Sequence, residues 1–147
     1  DDIVIDTGGR DTSSQRAALT ISDVYLVPFM PRSFDVWTVE KVAKLVREIN
    51  LVNSKLYSVC FLNRTDSRGS DNDEAANLLR ECDVLNFVEV FICNRKAFAN
   101  AAANGLGIFE LKPKDIKAEE EFSVLTSELE RHEMLYEQTL NEQRVNI

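Results

Sequence analysis

The sequence predicts an α/β protein with a mostly parallel sheet, helices on both faces of that sheet, and a long C-terminal helix. Apolar runs of strand length alternate four times with segments whose apolar residues recur at helical spacing. This alternation favours a parallel sheet, because a parallel strand reaches the next one through a crossover that is usually a helix. The final segment, residues 115–147, carries one narrow apolar stripe and therefore reads as a single helix.

The composition is that of a one-domain globular protein. The chain has 147 residues, of which 44% are hydrophobic and 29% charged, so it can bury a core. No apolar run is long enough to cross a bilayer, and the N-terminus lacks the order of a signal peptide, which predicts a cytoplasmic location without membrane contact. The three cysteines lack CxxC spacing and read as reduced thiols, and the single histidine, His132, excludes a multi-histidine metal site within one chain.

The net charge of −8 is concentrated near the C-terminus. Residues 115–147 hold nine acids and three Lys or Arg, a net of −6, which leaves −2 for residues 1–114. Residues 1–114 are therefore nearly neutral and compatible with a local basic patch, although they contain no run of Lys or Arg that would indicate one. We divide the chain into a core, residues 1–114, and an acidic helix, residues 115–147, packed on that core.

The first predicted strand ends in an acid. Ile3 to Ile5 form an apolar run that we expect to be a buried strand, and it delivers Asp6 to the carboxyl edge of the sheet, just before a glycine pair. Ligands of open α/β sheets bind at that edge, so an acid there can hold a metal or orient water. The same pattern also occurs where a strand simply ends in a turn, without any role in binding.

The remaining elements are predicted in chain order, with apolar residues of the second helix recurring near the 3.6 period. The first half contains a helix over 13–22, capped by Ser13-Ser14; a strand over 24–28; a helix after residues 34–35, with Asp35 as its N-cap; and a strand over 57–62. The second half contains an exposed loop over 65–73; a helix over 75–82; a strand over 88–93; a helix over 95–103, closed by a left-handed cap at Asn104-Gly105; and a helix over 115–143.

The stripe on the last helix allows two interpretations. Its members fall at steps of three and four: Phe122, Leu125, Leu129, His132, Tyr136 and Leu140. The stripe packs on the chain's own sheet, or its last turns leave the body and pair with another chain. In either case His132 reads as a packing residue rather than a metal ligand.

Five short motifs occur together in a fixed order: Ile-Asp-Thr-Gly-Gly-Arg-Asp at 5–11, Ser-Asp-Val-Tyr-Leu-Val-Pro at 22–28, Ser-Phe-Asp at 33–35, Phe-Leu-Asn-Arg at 61–64, and Asn-Arg-Lys-Ala-Phe at 94–98 with Ala102 and Gly105. In this order they resemble the ParA/MinD family of deviant P-loop ATPases, and most of all its small plasmid-partition members. The resemblance covers residues 2 to about 134 and begins at the family's Walker B strand.

The resemblance implies a P-loop NTPase fold and an ATPase that binds ATP and Mg²⁺. It further implies a homodimer that forms around nucleotide, coats DNA nonspecifically, and is therefore nucleoid-associated. Such a protein moves plasmids or chromosomes together with a ParB-like centromere-binding partner. Two alternatives remain: a related P-loop metabolic enzyme, and a non-catalytic protein-interaction module derived from this fold.

The resemblance also implies roles for individual residues. Asp6 matches the Walker B acid, which acts on Mg²⁺ through water, and residues 7–11 match the switch segment that senses the γ-phosphate. Within that segment Thr7 and Asp11 are catalytic candidates, and Gly8 and Gly9 are nucleotide-binding candidates. Asn63, Arg64, Asn94 and Arg95 match positions beside the nucleotide base, although Asn63 also suits a turn that satisfies backbone groups.

Basic residues in the second half are candidates for contacts to DNA phosphates. They are Arg95, Lys96, Lys112, Lys114 and Lys117. A solvated rim explains them equally well, and contacts to DNA would be independent of sequence and would weaken with salt. Phe34 and Trp37, near the start of their helix, read as core or dimer contacts rather than a ligand platform.

One departure from the family is large. The 147 residues contain no glycine-rich loop with lysine, the element that cradles phosphates through backbone amides. In the family that loop lies upstream of the Walker B strand. The simplest account is that the N-terminal P-loop portion is absent and that the chain is the C-terminal part of a longer ATPase. On that account it does not hydrolyse ATP alone.

Overall fold

The computed structural model describes residues 3–8, 12–33, 36–66 and 70–145. Its helices are α1 Ser13–Ile21, α2 Val36–Asn50, α3 Ser70–Arg80, α4 Lys96–Ala103 and α5 Ile116–Val145. Its strands are β1 Val24–Phe29, β2 Tyr57–Thr65 and β3 Asn86–Cys93, and short 3₁₀ turns cover Pro31–Ser33 and Ile108–Glu110. Strands and helices alternate along the chain, which confirms the predicted α/β class.

The sheet is parallel throughout its three described strands, in the order β1-β2-β3. Leu26 of β1 lies opposite Val59 of β2, and Leu62 of β2 lies opposite Phe91 of β3. Parallel neighbours need crossover connections, and here α2 and α3 provide them. The carboxyl ends of β2 and β3 therefore meet at one edge of the sheet.

One face of the sheet packs against α2 and α3. Val27 and Leu62 point to this face and form a buried cluster with Val46 of α2 and Leu79 of α3. Leu62 and Leu79 are both fully buried, with 0% of their surface exposed. The predicted apolar period of α2 is confirmed here, because Val39, Val46 and Ile49 all lie in buried clusters.

The opposite face packs against α5. Val59, Val88 and Val90 point to this face and form a cluster with Leu125 of the long helix. Neighbouring residues of a strand point to opposite faces, so Val59 and Cys60 belong to different clusters. Both faces of the sheet therefore carry helices, as the sequence predicts.

The predicted first strand is wrong. Residues 3–8 have no regular secondary structure, and Ile3, Val4 and Ile5 are 86%, 94% and 47% exposed rather than buried. An apolar run becomes a strand only where a neighbouring strand completes its hydrogen bonds. β1 pairs with β2 alone, and no described strand lies beside residues 3–5.

Several predicted boundaries shift. Thr12 rather than Ser13-Ser14 caps α1, since its Oγ1 accepts a hydrogen bond from the Gln15 N–H at 3.2 Å. The predicted loop over 65–73 is wrong in part, because Thr65 belongs to β2 and α3 already begins at Ser70, with Asp71 and Asp73 favouring its first turn. The predicted cap residue Asp35 lies outside the described residues.

The end of α4 is confirmed as a left-handed cap. Gly105 has a φ of 65°, a conformation that glycine adopts without strain. The Leu106 N–H donates to the Ala101 carbonyl at 2.9 Å, and the Gly105 N–H donates to the Ala102 carbonyl at 3.1 Å. These two bonds satisfy carbonyls that the helix end would otherwise leave without donors.

Helix α5 crosses the sheet from the carboxyl end of β3 to the amino end of β2. Asp115 caps its start, because its Oδ1 accepts a hydrogen bond from the Ala118 N–H at 3.1 Å. Near its other end, Tyr136 stacks on Tyr57 and donates its hydroxyl hydrogen to the Lys55 carbonyl at 2.7 Å. The stripe therefore packs on the body as far as Tyr136, while the His132 and Leu140 side chains lie outside the described ones. Among the described helices, none is long and apolar enough to span a membrane.

Candidate functional site

A groove of about 1590 Å³ runs along the outer edge of β1, with which no other described strand pairs. Asp6 and Thr7 line it from the irregular N-terminal segment, and Asn63 lines it from the end of β2. The structure therefore brings three of the predicted site residues to one concave surface, although the strand expected to carry Asp6 is not formed. Asp6 is exposed on this surface.

A bulge at the end of β2 positions Asn63. Asn63 pairs with Ile92 and Thr65 pairs with Cys93, so Arg64 is an extra residue without a partner across the ladder. Arg64 has a φ of 53°, in the left-handed region that residues with a Cβ seldom adopt. Its N–H donates to the Asn63 Oδ1 at 2.9 Å, which supports the bend.

The bulge turns the exposed Arg64 side chain to solvent and separates it from Asn63, which is half-buried. These two of the four residues predicted to lie beside a nucleotide base thus differ in exposure, and the bulge separates them. The Asn63 side chain also performs the local role expected of asparagine in a turn, because its Oδ1 accepts a backbone N–H. Its amide nitrogen remains a donor for a ligand in the groove.

Backbone hydrogen bonds join the ends of β2 and β3. The Asn94 N–H donates to the Thr65 carbonyl at 3.0 Å, and the Arg95 N–H donates to the Cys93 carbonyl at 2.8 Å. Asn94 is exposed at this edge, where the sequence predicts a contact beside the nucleotide base. The edge is therefore rigid in its backbone and polar in its exposed side chains.

Arg95 forms an ion pair with Glu121 of α5. Its guanidinium donates to the two carboxylate oxygens at 2.6 and 3.1 Å, and the Cys93 N–H donates to the same carboxylate at 3.0 Å. The side chains of Arg95 and Glu121 are 23% and 18% exposed, so the pair is largely shielded from water. The sequence predicts that Arg95 contacts nucleotide and DNA, and in this structure its guanidinium holds α5 to the end of β3.

The ion pair shifts the pKa of both groups. Burial acts to raise the pKa of Glu121, but the hydrogen bonds from Arg95 and the Cys93 amide together outweigh burial and lower that pKa below its ordinary value. The hydrogen bond to Glu121 raises the pKa of Arg95. Both groups are therefore charged at neutral pH, and their attraction adds to the packing of α5.

Four of the five predicted DNA-contacting residues meet in a separate cavity. Lys96, Lys112, Lys114 and Lys117 line a shallow depression of about 510 Å³ where the starts of α4 and α5 meet. Lys114 forms an ion pair with Glu119 at 3.3 Å. The sequence places these lysines up to 21 positions apart, and the fold gathers them into one basic surface on an acidic protein.

The remaining predicted site residues are placed as follows. Gly8 is exposed beside Thr7, whereas Gly9 and Asp11 lie outside the described residues. The described residues include no group of three or more acidic, histidine or cysteine side chains that could hold a metal ion. The exposed Asp6 carboxylate and the Thr7 hydroxyl are groups that fit Mg²⁺. Mg²⁺ keeps several waters and takes most of its other ligands from a bound phosphate.

Sequence reasoning missed other residues of the groove and misjudged one helix residue. Thr38 and Lys41 of α2 also line the groove, and Lys41 adds a positive charge to its lining. The only signal for them was their place off the apolar stripe of α2. Trp37 is 72% exposed, so its predicted place in the core is wrong, and a contact with a second chain stays a prediction. Phe34 lies outside the described residues.

Comparisons with known proteins give one distant relative. No protein-family model matches the chain, and no solved structure matches it either. The maintenance of carboxysome distribution protein A of Halothiobacillus neapolitanus is 22% identical over 107 residues, which cover 73% of this chain and 49% of that protein. The match therefore spans about half the length of this curated relative. The chain is thus distantly similar to a ParA/MinD-type protein, in agreement with the resemblance of its motifs.

Proposed function

We propose that this chain is part of a ParA-like positioning ATPase, in which the groove beside β1 faces Mg-ATP. The observation that carries the proposal is the similarity to a carboxysome distribution protein along 73% of the chain. The meeting of Asp6, Thr7 and Asn63 on one groove supports it independently of that similarity. The proposal includes a cargo that the protein positions and a partner protein, ParB-like or of another type, but it does not identify either one.

In this function each groove residue has a distinct task. Asp6 would hold Mg²⁺ through a water molecule, and Mg²⁺ when bound neutralises charge on the transferring phosphate. Thr7 offers a hydroxyl to the same water network. Asn63 offers an amide group on the base side of the nucleotide, and Lys41 offers a positive charge for the phosphates. Asn94 is exposed just after β3 and is not part of the groove lining, and we propose that it adds a second amide group on the base side.

Hydrolysis also needs backbone amides that cradle the phosphates. Residues 1–147 contain no glycine-rich loop with lysine. We propose that this loop is contributed from outside residues 1–147, in line with a relative of about twice the matched length. The lack of a glycine-rich loop with lysine within residues 1–147 also favours the second candidate. This candidate is a non-catalytic interaction module that uses the fold only to bind another protein.

Calorimetric titration of Mg-ATP into residues 1–147 tests whether this chain binds nucleotide without any further segment. Neither of the two candidates predicts such binding. We expect no saturable heat, because half of a phosphate site is missing. Saturable binding that disappears in Asp6→Asn would mean that this chain builds its own phosphate cradle. The matched control is Asp73→Asn, an exposed acid of α3 outside the lining of the groove.

ATP hydrolysis is then measured in a chimaera in which residues 1–147 replace the matched region of the Halothiobacillus protein. The ATPase proposal predicts Mg²⁺-dependent hydrolysis that Asp6→Asn abolishes and Asp73→Asn preserves. A folded chimaera without hydrolysis, judged by circular dichroism, would favour the interaction module.

DNA binding belongs to the same proposal, with the four-lysine cavity as the contact surface. Replacing Lys96, Lys112 and Lys117 by alanine should weaken binding to DNA of any sequence. The salt slope, which is the change in the logarithm of the binding constant with the logarithm of salt concentration, should fall by about one for each phosphate that a lysine no longer neutralises. Lys55→Ala, an exposed lysine at the far side of the sheet, is the control. An unchanged salt slope would remove these lysines from the DNA interface.

A further inference from the structure

The connection between β3 and α4 is a tight turn centred on Asn94. The Arg95 N–H donates to the Cys93 carbonyl at 2.8 Å, which closes a three-residue turn with Asn94 in the middle. The Asn94 N–H donates to the carbonyl of Thr65, the last residue of β2, at 3.0 Å. The backbone of the turn is therefore tied to β2, while the Asn94 side chain is exposed.

Glu121 of α5 holds the two residues on either side of Asn94. Its carboxylate accepts a hydrogen bond from the Cys93 N–H at 3.0 Å and two from the Arg95 guanidinium at 2.6 and 3.1 Å. The bulge at Arg64 interrupts the ladder between β2 and β3 at this point, and a backbone N–H that is withdrawn from water needs an acceptor. One carboxylate therefore fixes both ends of the turn.

Packing on both sides of Glu121 sets the position of its carboxylate. Ala118 lies one turn before it and packs with residues of α4, and Leu125 lies one turn after it and packs on the sheet. Residues three and four positions apart on a helix share a face, so Glu121 leaves α5 from its docked face. These apolar contacts do not depend on the carboxylate, and they keep α5 in place when the carboxylate is replaced.

Glu121 acts on a ligand through the turn rather than by direct contact. Its side chain is 18% exposed, and both of its oxygens accept hydrogen bonds. Its negative charge would also repel the phosphates of a nucleotide. The guanidinium of Arg95 is engaged by Glu121, so among residues 93–95 the exposed side chain is that of Asn94.

We propose that Glu121 is a positioning residue for the base side of the nucleotide site, because it sets where the Asn94 amide meets the base. The inference rests on the proposed function and adds to it a residue of α5 that lies 27 positions after Asn94. An asparagine amide can donate to N7 of adenine and accept from its amino group, whereas guanine presents two acceptors at the same edge. A displaced amide loses this match, so the preference for ATP over GTP depends on Glu121.

The first measurement tests the turn in residues 1–147 without nucleotide. NMR relaxation gives the order parameter of each backbone amide, a property of the folded state that does not depend on the fraction unfolded. We expect a rigid Asn94 amide, with an order parameter of about 0.85, that falls to about 0.6 or less in Glu121→Ala. The Tyr57 amide, which donates to the Asp23 carbonyl at the other end of the sheet, should not change. An unchanged order parameter at Asn94 would overturn the proposal.

The second measurement is the ratio of kcat/KM for ATP to kcat/KM for GTP in the chimaera that carries residues 1–147. An unfolded chain uses neither nucleotide, so this ratio does not report loss of stability. Glu121→Ala should lower the ratio about fivefold or more, mainly by raising the KM for ATP. Asn94→Ala should lower it as well, and adding Glu121→Ala to that variant should lower it no further, because Glu121 acts through Asn94.

Two variants separate positioning from general loosening of α5. Tyr136→Phe removes the hydrogen bond to the Lys55 carbonyl, at 2.7 Å, from the other end of the docked helix and should leave the ratio unchanged. Glu121→Gln keeps one acceptor oxygen and should restore part of the ratio that Glu121→Ala loses.

Each outcome decides between the two proposals. A lower ratio in Glu121→Ala, with no effect of Tyr136→Phe and no further effect in the Asn94→Ala background, supports the positioning role. An unchanged ratio in a folded Glu121→Ala variant, an equal loss in Tyr136→Phe, or equal use of ATP and GTP by the unsubstituted chimaera overturns the positioning role alone. A folded chimaera that hydrolyses neither nucleotide overturns the proposed function, and the positioning role with it.

Discussion

Replacing Glu121 by alanine should destabilise the protein by about 3 kcal/mol, because two donor groups, the Arg95 guanidinium and the Cys93 N–H, each lose a charged acceptor at about 1.5 kcal/mol per group. Glu121 accepts hydrogen bonds from the Arg95 guanidinium and from the Cys93 N–H. The variant leaves both donors without this acceptor in a region where Arg95 is only 23% exposed. Glu121→Gln retains one acceptor oxygen and should cost about half as much.

The control lies on the same helix. Glu128 pairs with Arg131 at 2.6 Å, but the two side chains are 35% and 53% exposed. An exposed pair contributes about 0.5 kcal/mol or less. Glu128→Ala gains the same helix propensity as Glu121→Ala, so the difference between the two variants isolates the contacts of Glu121.

The assay is urea unfolding followed by circular dichroism, with the slope m compared among the variants. Equal losses of unfolding free energy in Glu121→Ala and Glu128→Ala would refute the argument that Glu121 anchors α5. A changed m would show that the native or denatured state of a variant had altered. The loss of unfolding free energy in Glu121→Gln would then show whether Glu121 anchors α5.

The same residue gives the protein a pH dependence. The pKa of Glu121 is lower in the folded chain than in the unfolded chain. Its contribution is therefore complete above the unfolded pKa of about 4.3 and is lost as the pH falls through the lower folded pKa. The stability of wild type should fall more steeply than that of Glu121→Gln on acidification below about pH 4.3.

Other predictions concern the core, the thiols and the end of α5. Leu79→Ala, at a fully buried position, should lower the unfolding free energy by about 2–5 kcal/mol, measured by urea unfolding, and a loss below that of an exposed leucine such as Leu51→Ala would contradict the described core. Burial raises the pKa of Cys60 to about 12, so iodoacetamide at neutral pH should label Cys82 and Cys93 before Cys60, and early labelling of Cys60 in the native protein, read by mass spectrometry, would contradict its burial. Tyr136→Phe should cost about 1 kcal/mol through loss of the hydrogen bond to Lys55, and truncation before Tyr136 should cost more, whereas unchanged melting temperatures would show that this end of α5 does not pack on the body.

Local pattern was sufficient for most of the fold. The recurrence of Val39, Val46 and Ile49 placed the buried face of α2, and Gly105 marked the end of α4. Both signals depend only on nearby residues, and the structure confirms both. Alternation of strands and helices then implied the parallel sheet without any knowledge of which strands are neighbours.

Features that depend on distant residues could not be predicted in this way. Ile3 to Ile5 have a strand-like pattern but no neighbouring strand among the described residues, and sequence pattern does not report the absence of a neighbour. Arg95 and Glu121 are 26 positions apart, and only the docking of α5 brings them together. The candidate site shows the same division: the pattern found Asp6 and Asn63, but the groove that joins them and its lining residue Lys41 emerge only from the fold.

The position of α5 after all three described strands has a consequence for biosynthesis. A ribosome releases the chain from its N-terminus, and the contact between Lys55 and Tyr136 joins residues 81 positions apart. Until α5 emerges, Val59, Val88 and Val90 lack the cover of Leu125 and Leu129. The nascent chain therefore exposes one apolar face of its sheet until α5 has been translated, which makes that interval the time of greatest need for a chaperone and of greatest risk of aggregation.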